Sequence, residues 1–570
     1  MNLASLVRYA RGDAPADLVL RNARVVNVFS SEIQPTDVAI AHSRIVGLGR
    51  YDGARQIDLG GAYVAPGFID AHVHIESAMV PPGEFARAVV PHGTTTVVTD
   101  PHEIANVLGL DGIRFMFDCA KYGPLSMYVM ASSCVPATAL ETSGAVLHAE
   151  DLVPFQSDPW VLGLAEVMDY RGVVEGDEEV LRKLDVFRDS IIDGHAPQLH
   201  GKALQAYVAA GIGSDHECTT AEEALDKLRL GMTIFIREGS AARNLSSLVP
   251  LVNASNERRF CFCTDDRQPA DLLDEGHIDH LVRAAIQRGL DPILAIRMAT
   301  WNPASYFHLD DRGAIVPGSR ADLVVFDDLR APRPRLVFRG GQMVARDGEV
   351  LAPPRPTPLR GLRNTMNVAW DKVNLCVRAE GRLARVIRVV PDGLHTEEVH
   401  EEPRIEDGCA VADPARDLAK LVVIERHLAS GNTGVGFVNG LGLARGALAS
   451  SVAHDHHNLV AASADDRSLM TAARRVAQLG GGMVAADGDR VLAEVALPLA
   501  GLMSTSPVEQ VRREYDGVLR AAASLGSRLH DPLMTLSFLA LEVIPALKLT
   551  DRGLVDAARR AYVPLWVDEG

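Results

Sequence analysis

The chain has 570 residues, which is too long for a single hydrophobic core and predicts two or three domains. Its composition, 47% hydrophobic and 23% charged, is that of an ordinary soluble protein. The formal net charge of −17 argues against a nucleic-acid partner, because phosphate binding requires clustered Lys and Arg that this sequence lacks, but it is compatible with a small-molecule substrate.

The sequence indicates neither membrane insertion nor disulfide stabilisation. No apolar run approaches the roughly 18 residues needed to span a bilayer, and the N-terminus lacks the pattern of a signal peptide, so we expect a cytoplasmic enzyme or scaffold. The seven cysteines are an odd number and include no Cys-x-x-Cys motif, which favours neither a disulfide framework nor a thiolate zinc site. We expect them to be reduced core residues, Cys261 and Cys263 included.

Short strands are predicted at the start of the chain. Residues 18–20, 23–28 and 38–40 are apolar segments separated by Asn, Asp and Gly turn signals, and they predict a small β domain over residues 1–65. Residues 313–326 return to the same hairpin-like pattern. We therefore expect residues 313–352 to complete this domain, which would make it discontinuous.

Between residues 66 and 312, short β-rich segments alternate with helical ones, which is the pattern of βα units around a parallel sheet. Strands are predicted at residues 64–74, 95–99, 126–131, 161–165, 190–192, 211–213, 232–236 and 260–263. Eight such units close into a TIM barrel, whose catalytic side chains come from the C-terminal strand ends and the loops that follow them.

A proline-rich stretch at residues 353–358 predicts a stiff linker. Beyond it, residues 359–570 mix strand and helix patterns, for example a helix over 468–479 followed by a strand over 480–486. The predicted fold class is therefore α/β, a (β/α)8 TIM barrel with a small discontinuous β domain and a C-terminal α+β domain.

Two histidines separated by one residue end the first predicted barrel strand. Side chains alternate along a strand, so His72 and His74 emerge on the same face and could bind one metal ion. Alone this motif is weak evidence, because two surface or core-edge histidines give the same pattern. Further ligands at strand ends are needed to favour a metal site.

Other predicted barrel strands end in further groups of ligand type. These groups are Glu166, His195, His216 and Asp265. Each has a structural alternative, a histidine bonded to a carbonyl or a carboxylate capping the next helix. Six groups of the right type at equivalent positions, counting His72 and His74, favour a metal site over coincidence.

Two divalent ions about 3.5 to 4 Å apart need several ligands and a bridging group, which Glu166 can supply. Such a pair lowers the pKa of bound water from about 15.7 toward 7. An adjacent carboxylate, for which Asp265 is the candidate, can accept a proton from that water and return it to a leaving group. The pattern therefore predicts a hydrolase.

Two further pairs of residues follow barrel strands. Asp100 and His102 could face the same pocket or form an Asp-Pro turn in which Asp100 bonds nearby backbone. Arg237 and Glu238 occupy positions that could contact substrate, although a solvated ion pair is the simpler interpretation.

Several motifs together resemble the bacterial and archaeal adenine deaminase family of the amidohydrolase superfamily. The segments that carry the resemblance are residues 66–77, 99–104, 132–136, 164–168, 263–266 and 451–458. His-x-His alone indicates only the superfamily, whereas the Ile-Glu-Ser after it, the Asp-Pro-His-Glu segment and the late His-Asp-x-His-Asn segment are more specific.

The resemblance implies a barrel of the amidohydrolase type that hydrolyses adenine to hypoxanthine and ammonia with a binuclear Mn or Fe centre. The implied metal ligands are His72, His74, Glu166, His195, His216 and Asp265. Glu166 would bridge in the place that other members give to a carboxylated lysine. Metal-bound hydroxide would attack C6 and Asp265 would take its proton. Asp100 and Glu166 would relay protons to the ring nitrogen and the departing amine, and the resemblance does not divide that role between them. We also expect a homodimer or higher homo-oligomer.

Position 456 departs from the resemblance, because the family usually has Ser where this chain has His456. We favour a tolerated loop substitution, but the spacing of His454, His456 and His457 also allows an additional metal site. Two alternatives to adenine deamination remain open: another cyclic amide or amidine hydrolase of the superfamily, and a barrel that has lost catalysis and serves as a scaffold.

Overall fold

A computed structural model describes residues 2–120, 123–352, 362–391 and 393–567. The predicted proline-rich linker at residues 353–358 lies outside the described residues, and the domain boundaries drawn from the sequence stay predictions. Within the described ranges, the helices are all too short or too polar to cross a membrane.

The small β domain is built from both ends of the barrel sequence. The described residues form a nine-stranded sheet in which Tyr63–Pro66 pairs antiparallel with Leu323–Phe326, so the two halves of the domain share one core. Its strands are Ala16–Asn27, Glu32–Ala41, Arg44–Leu48, Gly53–Asp58, Tyr63–Pro66, Leu323–Phe326, Leu336–Arg339, Gln342–Arg346 and Glu349–Val350, preceded by the helix Leu3–Ala10.

Eight parallel strands among the described residues form the barrel. In order they are Phe68–Val73, Thr94–Thr99, Ser126–Ala131, Val161–Val167, Ile191–Gly194, Ser214–Asp215, Thr233–Arg237 and Phe260–Cys263. The first and second are buried along their whole length, as expected of strands covered on both faces. The backbone N–H of Asp265 donates to the His72 carbonyl at 2.9 Å, which joins the eighth strand to the first and closes the ring.

Two predicted strands differ from those observed. The single strand predicted over residues 64–74 is two strands, because the chain leaves the small β sheet at Pro66 and enters the barrel at Phe68. The sixth strand is Ser214–Asp215 and not residues 211–213, where Gly211 has a φ of +98° that ends the preceding turn. The short extended segment therefore begins three residues later than its apolar pattern indicates.

Helices surround the barrel and alternate with its strands. The α-helices are Pro82–Val89, His102–Leu108, Leu110–Ala120, Ala149–Leu152, Tyr170–Glu175, Glu178–Val186, Gly201–Ala209, Ala221–Arg229, Leu245–Leu248, Pro269–Asp274, Ile278–Gln287, Pro292–Met298 and Trp301–Tyr306. Short 3-10 turns lie at Ile75–Ala78, Val90–His92, Val153–Ser157, Val249–Leu251 and Glu257–Arg259. Side-chain capping fixes where several of the α-helices begin. For example, the Thr220 side chain accepts a hydrogen bond from the Glu223 backbone N–H and caps the helix Ala221–Arg229.

The C-terminal unit is a mixed α+β structure. Nine of its described strands form one sheet, namely Leu383–Val389, Thr396–Glu401, Leu418–Ile424, Thr433–Asn439, Ala447–Ser450, Leu459–Ser463, Gly482–Asp487, Arg490–Ala496 and Trp566–Val567. Two three-stranded sheets comprise Val377–Arg378, Arg404–Glu406 and Cys409–Val411, and Leu547–Thr550, Gly553–Asp556 and Ala561–Tyr562. Its helices are Pro414–Arg416 (3-10), Asp466–Gln478, Val508–Ser524 and Pro532–Phe538.

The helix Asp466–Gln478 shows why this unit folds as its sequence indicates. Asp465 caps it by accepting from the Ser468 backbone N–H at 2.8 Å. Leu469, Ala472 and Val476 recur at helical spacing and are buried against the sheet, while the opposite face stays polar. The strand Gly482–Asp487 follows, close to its predicted position.

The expectation that all seven cysteines are reduced core residues is wrong for two of them. Cys376 and Cys409 form a disulfide with Cα atoms 5.4 Å apart. Antiparallel pairing of Val377–Arg378 with Cys409–Val411 brings them together across 33 residues, which their spacing alone does not reveal. Cys261 and Cys263 are free and buried, as expected.

Gly67 marks the passage from the small β sheet to the barrel, and its lack of a side chain is required there. A Cβ at this position would lie 2.2 Å from the Thr95 Oγ1 and would displace the second barrel strand. We expect Gly67→Ala to lower the free energy of unfolding by about 1–3 kcal/mol through overpacking, measured by denaturant unfolding.

A matched control is Gly517→Ala in the helix Val508–Ser524, where the nearest atom to an added Cβ is 3.8 Å away. This change should leave stability equal or raise it by about 0.5–1 kcal/mol, because Ala favours a helix over Gly. Equal effects of the two substitutions would contradict the steric account of Gly67.

Candidate active site

Three imidazoles and two carboxylates converge at the C-terminal mouth of the barrel. The Nε2 atoms of His72 and His74 lie 3.1 Å apart. The Glu166 Oε1 lies 3.5 and 3.2 Å from these two nitrogens, and the Asp265 Oδ1 lies 3.4 and 3.1 Å from them. His216 stacks on His72 with ring centroids 4.4 Å apart. The first, fourth, sixth and eighth strands thus place their ends at one point.

Glu166 also reaches a second pair of histidines with its other oxygen. Its Oε2 lies 2.7 Å from the His195 Nδ1 and 3.4 Å from the His216 Nε2. His195 is slightly exposed to the cavity, whereas Glu166 and His216 are buried. One carboxylate therefore faces two separate groups of nitrogen donors through two different oxygens.

The donor set fits two divalent cations. Imidazole nitrogens and carboxylate oxygens suit Mn, Fe and Zn. Several groups of such donors lie close enough to share an ion, among them His72, His216 and Asp265; Glu166, His195 and His216; and His74, Asp100, His102 and Glu166. The first group is buried and the second nearly so, with His195 alone partly exposed. A bridging carboxylate between metal positions is the arrangement that two-metal hydrolytic sites require.

The carboxylates and imidazoles of this cluster stabilise each other's charged forms. Burial opposes a charge on His72, but hydrogen bonds with Asp265 and Glu166 outweigh it and raise the His72 pKa to about 10. Although burial opposes it, the histidines around Glu166 lower the pKa of that carboxyl well below its usual range. Divalent cations would take the place of the imidazole protons beside these carboxylates.

Asp100 lies behind the cavity wall and contacts His102. Its Oδ2 accepts from the His102 Nδ1 at 2.8 Å, and its Oδ1 accepts from the Ser132 Oγ at 2.8 Å. Its backbone carbonyl lies 3.0 Å from the Nδ1 of His74, which orients that imidazole. One donor atom of Asp100 lies within 4.8 Å of donor atoms of His74, His102 and Glu166, so the structure places Asp100 beside the candidate ligands. His102 itself lines the cavity.

Arg237 and Glu238 point in different directions. The Arg237 Nη1 donates to the Asp265 Oδ2 at 2.6 Å and to the Glu217 Oε1 at 2.5 Å, and the side chain lines the cavity. Although burial opposes it, Arg237 and the neighbouring histidines lower the pKa of Asp265 well below its usual range. The Glu238 Oε1 instead accepts from the backbone N–H of Leu245, so the structure does not bring Glu238 to the metal ligands.

The sequence analysis missed Glu217, although it directly follows His216. Besides its bond to Arg237, its Oε1 lies 3.7 Å from the His195 Nδ1. The His-Glu pair at the end of a predicted strand was the sequence signal that could have identified Glu217 as a site residue.

The C-terminal unit closes the cavity, which the sequence analysis did not foresee. Side chains from that unit form part of the cavity wall, namely Leu394, His454, Asp455, Phe538, Leu541 and Ile544. The His454 Nδ1 lies 2.6 Å from the Glu103 Oε1, and His457 contacts the other oxygen of Glu103. Phe538 stacks on His454 with centroids 4.7 Å apart.

Comparison with known proteins accounts for both large parts of the chain. The profile of the amidohydrolase family matches residues 63–351, and that of the adenine deaminase C-terminal domain matches residues 393–561. An adenine deaminase from Desulfatibacillum aliphaticivorans is 49% identical over 563 residues, covering 98% of this chain and 99% of the relative. The chain belongs to the adenine deaminase family of amidohydrolases.

Other relatives match over the same extent. Adenine deaminase 2 of Carboxydothermus hydrogenoformans is 49% identical and covers 99% of both chains. An adenine deaminase from Methanothrix thermoacetophila is 47% identical and covers 100% of both chains. The expected family and the expected fold class are both confirmed.

The ligand assignment predicts that His195→Ala loses bound metal, because Glu166 and His216 alone leave the second position short of donors. Elemental analysis after reloading with Mn²⁺ should show at least one equivalent fewer than the unsubstituted protein, and added Mn²⁺ should raise the melting temperature less. His200→Ala is the matched control, since His200 is exposed on the same loop. Unchanged metal content in His195→Ala would contradict the assignment.

Proposed function

We propose that this protein hydrolyses adenine to hypoxanthine and ammonia at a binuclear centre of Mn or Fe. The observation that carries the proposal is the position of Glu166, whose two oxygens face two separate histidine groups. Near full-length identity of 49% to an adenine deaminase supports the choice of substrate. A cytoplasmic location and a homodimer or higher homo-oligomer stay predictions of the sequence.

Six residues would hold the two cations. These are His72, His74, His195, His216, Asp265 and Glu166, of which Glu166 would offer one oxygen toward His72 and His74 and the other toward His195 and His216. When bound, the two cations would supply a water whose pKa is lowered toward about 7. The chain itself would supply the orientation of that water, the exclusion of bulk solvent and the transfer of protons.

Asp265 is suited to accept the proton of the attacking water. One of its oxygens faces His72 and His74, while Arg237 holds the other and keeps the carboxylate ionised. Because this carboxylate is a weak base, it would pass the proton on readily to the departing amine. Arg237 would thus act by positioning Asp265 as well as by lining the cavity.

A second acidic group on the other side of the cavity could complete the proton relay. Asp100 would act through His102, whose ring it orients, and Asp455 faces the cavity from the C-terminal unit. Burial raises the pKa of Asp455 to about 6, close to neutral pH, where a carboxyl can both hold and release a proton. Glu166, which contacts both groups of histidines, would take part in the same proton relay.

The rest of the cavity suits a flat apolar ring. Met168 from the barrel and Phe538, Leu541 and Ile544 from the C-terminal unit form the apolar part of the wall of the cavity that the candidate ligands also line. Such a surface accommodates the faces of a purine, while the polar side presents its C6 position to the ligands. The charged groups Glu103 and His454 border this wall.

Asp265→Asn should lower kcat about 10²- to 10⁴-fold, because a general base is removed while the shape of the site is kept. At least one equivalent of metal should remain, since the Asn oxygen can still occupy the ligand position. Initial rates of ammonia release and elemental analysis measure both effects. Asp274→Asn, an exposed change on the same face of the barrel, is the control and should stay within twofold of the unsubstituted enzyme.

A substrate panel separates the proposed function from its alternatives. Protein reloaded with Mn²⁺ or Fe²⁺ should convert adenine to hypoxanthine and release ammonia, and should act far more slowly on guanine, cytosine and dihydroorotate. Turnover of one of the last three in preference to adenine would favour another cyclic amide or amidine hydrolase. Full metal occupancy without turnover of any of the four would favour a scaffold.

A further inference from the structure

A second group of buried ligand-type side chains lies where the barrel meets the C-terminal unit. Glu141 comes from the loop after the third barrel strand, and His456 and Glu542 come from the C-terminal unit. All three side chains are fully buried. They share no member with the six residues proposed to hold the catalytic cations.

The hydrogen bonding of His456 leaves one ring nitrogen free to bind a ligand. Its Nε2 lies 3.3 Å from the Thr138 carbonyl oxygen, so this nitrogen carries the proton and donates. Its Nδ1 then presents a lone pair, lies 3.7 Å from the Glu141 Oε2, and has no hydrogen-bond partner in the described part of the chain. Metal-binding histidines commonly donate their other N–H to a carbonyl in this way.

In each of the two carboxylates, one oxygen accepts a hydrogen bond and the other accepts none from the described part of the chain. The Glu141 Oε1 accepts from the Asn458 Nδ2 at 2.7 Å, and the Glu542 Oε1 accepts from the Thr138 Oγ1. The Oε2 atoms of both glutamates are buried and lack a hydrogen-bond partner among residues 2–120, 123–352, 362–391 and 393–567. Glu542 lies beside the other ring nitrogen of the same imidazole, with its Oε1 3.6 Å from the His456 Nε2, so the two carboxylates and the imidazole form one buried cluster that holds three unused donor atoms in the described ranges.

Lys548, a buried residue of the C-terminal unit, directs its ammonium group to backbone oxygens. The Nζ of Lys548 donates to the carbonyl oxygens of Leu394 and Phe538 at 3.0 and 2.8 Å. Burial and the neighbouring Glu542 raise the pKa of Glu141 well above its usual range. A cation bound beside the two carboxylates would balance their negative charge and take the place of a proton on Glu141.

We propose that Glu141, His456 and Glu542 bind one further divalent transition-metal cation, through the Nδ1 of His456 and the Oε2 atoms of the two glutamates. Two carboxylates and one imidazole suit Mn²⁺, Fe²⁺ and Zn²⁺. This ion would join the barrel loop to the C-terminal unit and would take no part in catalysis. The change from the Ser that the family usually has to His456 would supply its nitrogen ligand.

Metal counting on the full-length protein tests the proposal. Apoprotein prepared with a chelator is reloaded with MnCl2 or, in a parallel sample, ZnCl2, freed of excess ion and analysed for metal once the deaminase activity of the Mn sample is maximal. We expect three equivalents per chain with at least one of the two metals. Two equivalents with both metals would overturn the proposal and favour a protonated Glu141 in place of the ion.

Two substitutions locate the third ion. His456→Ser and Glu141→Gln should each lower the count from three to two, while His456→Ser keeps kcat within about twofold. Glu141→Gln retains an oxygen for the Asn458 bond, so its fold should persist. His427→Gln removes a neighbouring buried imidazole, which contacts the His456 carbonyl oxygen, and should keep three equivalents.

The result that contradicts the location is a count of three in both His456→Ser and Glu141→Gln. A fall to fewer than two in His456→Ser, with lost activity, would also overturn it, because the residue would then support the catalytic ligands. If one of these variants does not fold, the count on the unsubstituted protein together with the other variant decides.

Discussion

The structure depends on a single buried carboxylate shared between two groups of histidines. Glu166 is surrounded by imidazoles on both sides, and each of its oxygens faces a different group of histidines. In water such a cluster would disperse, because protonated imidazoles repel each other and a buried carboxylate is costly without partners. Only a rigid scaffold that positions four strand ends together can hold it.

The barrel provides that rigidity with buried polar networks beside the ligands. Asp70 accepts from the Thr264 backbone N–H at 3.1 Å and lies 3.1 Å from the His277 Nε2, which ties the strand bearing His72 to the strand preceding Asp265. Lys227 is fully buried and bonds both Asp215 and the Ala196 carbonyl oxygen. These bonds fix residues adjacent to His195 and His216. The candidate ligands are therefore positioned by ion pairs and hydrogen bonds between residues that lie outside the proposed substrate contacts.

How much the sequence could predict follows from how local each feature is. Strand ends of a parallel barrel meet at one rim, so a histidine or carboxylate at the end of a predicted strand can be assigned to that rim without knowing any contact. This is why Glu166, His195 and His216 could be assigned to the barrel rim from their positions at the ends of predicted strands. The orientation of a side chain depends on its neighbours, however, which is why Glu238 turned toward Leu245 and Asp100 toward His102.

The features that escaped prediction all join distant parts of the chain. Pairing of Cys376 with Cys409 follows from a small sheet, and the position of Asp455 follows from how the C-terminal unit docks. Glu103 illustrates the dependence most clearly, because this buried barrel residue obtains its partners from His454 and His457, about 350 positions later in the chain. Removing the C-terminal unit would take two of its imidazole partners from that carboxylate, leave it His102 at 3.5 Å, and open the apolar wall to water. The barrel and the C-terminal unit therefore form the wall of the candidate site together.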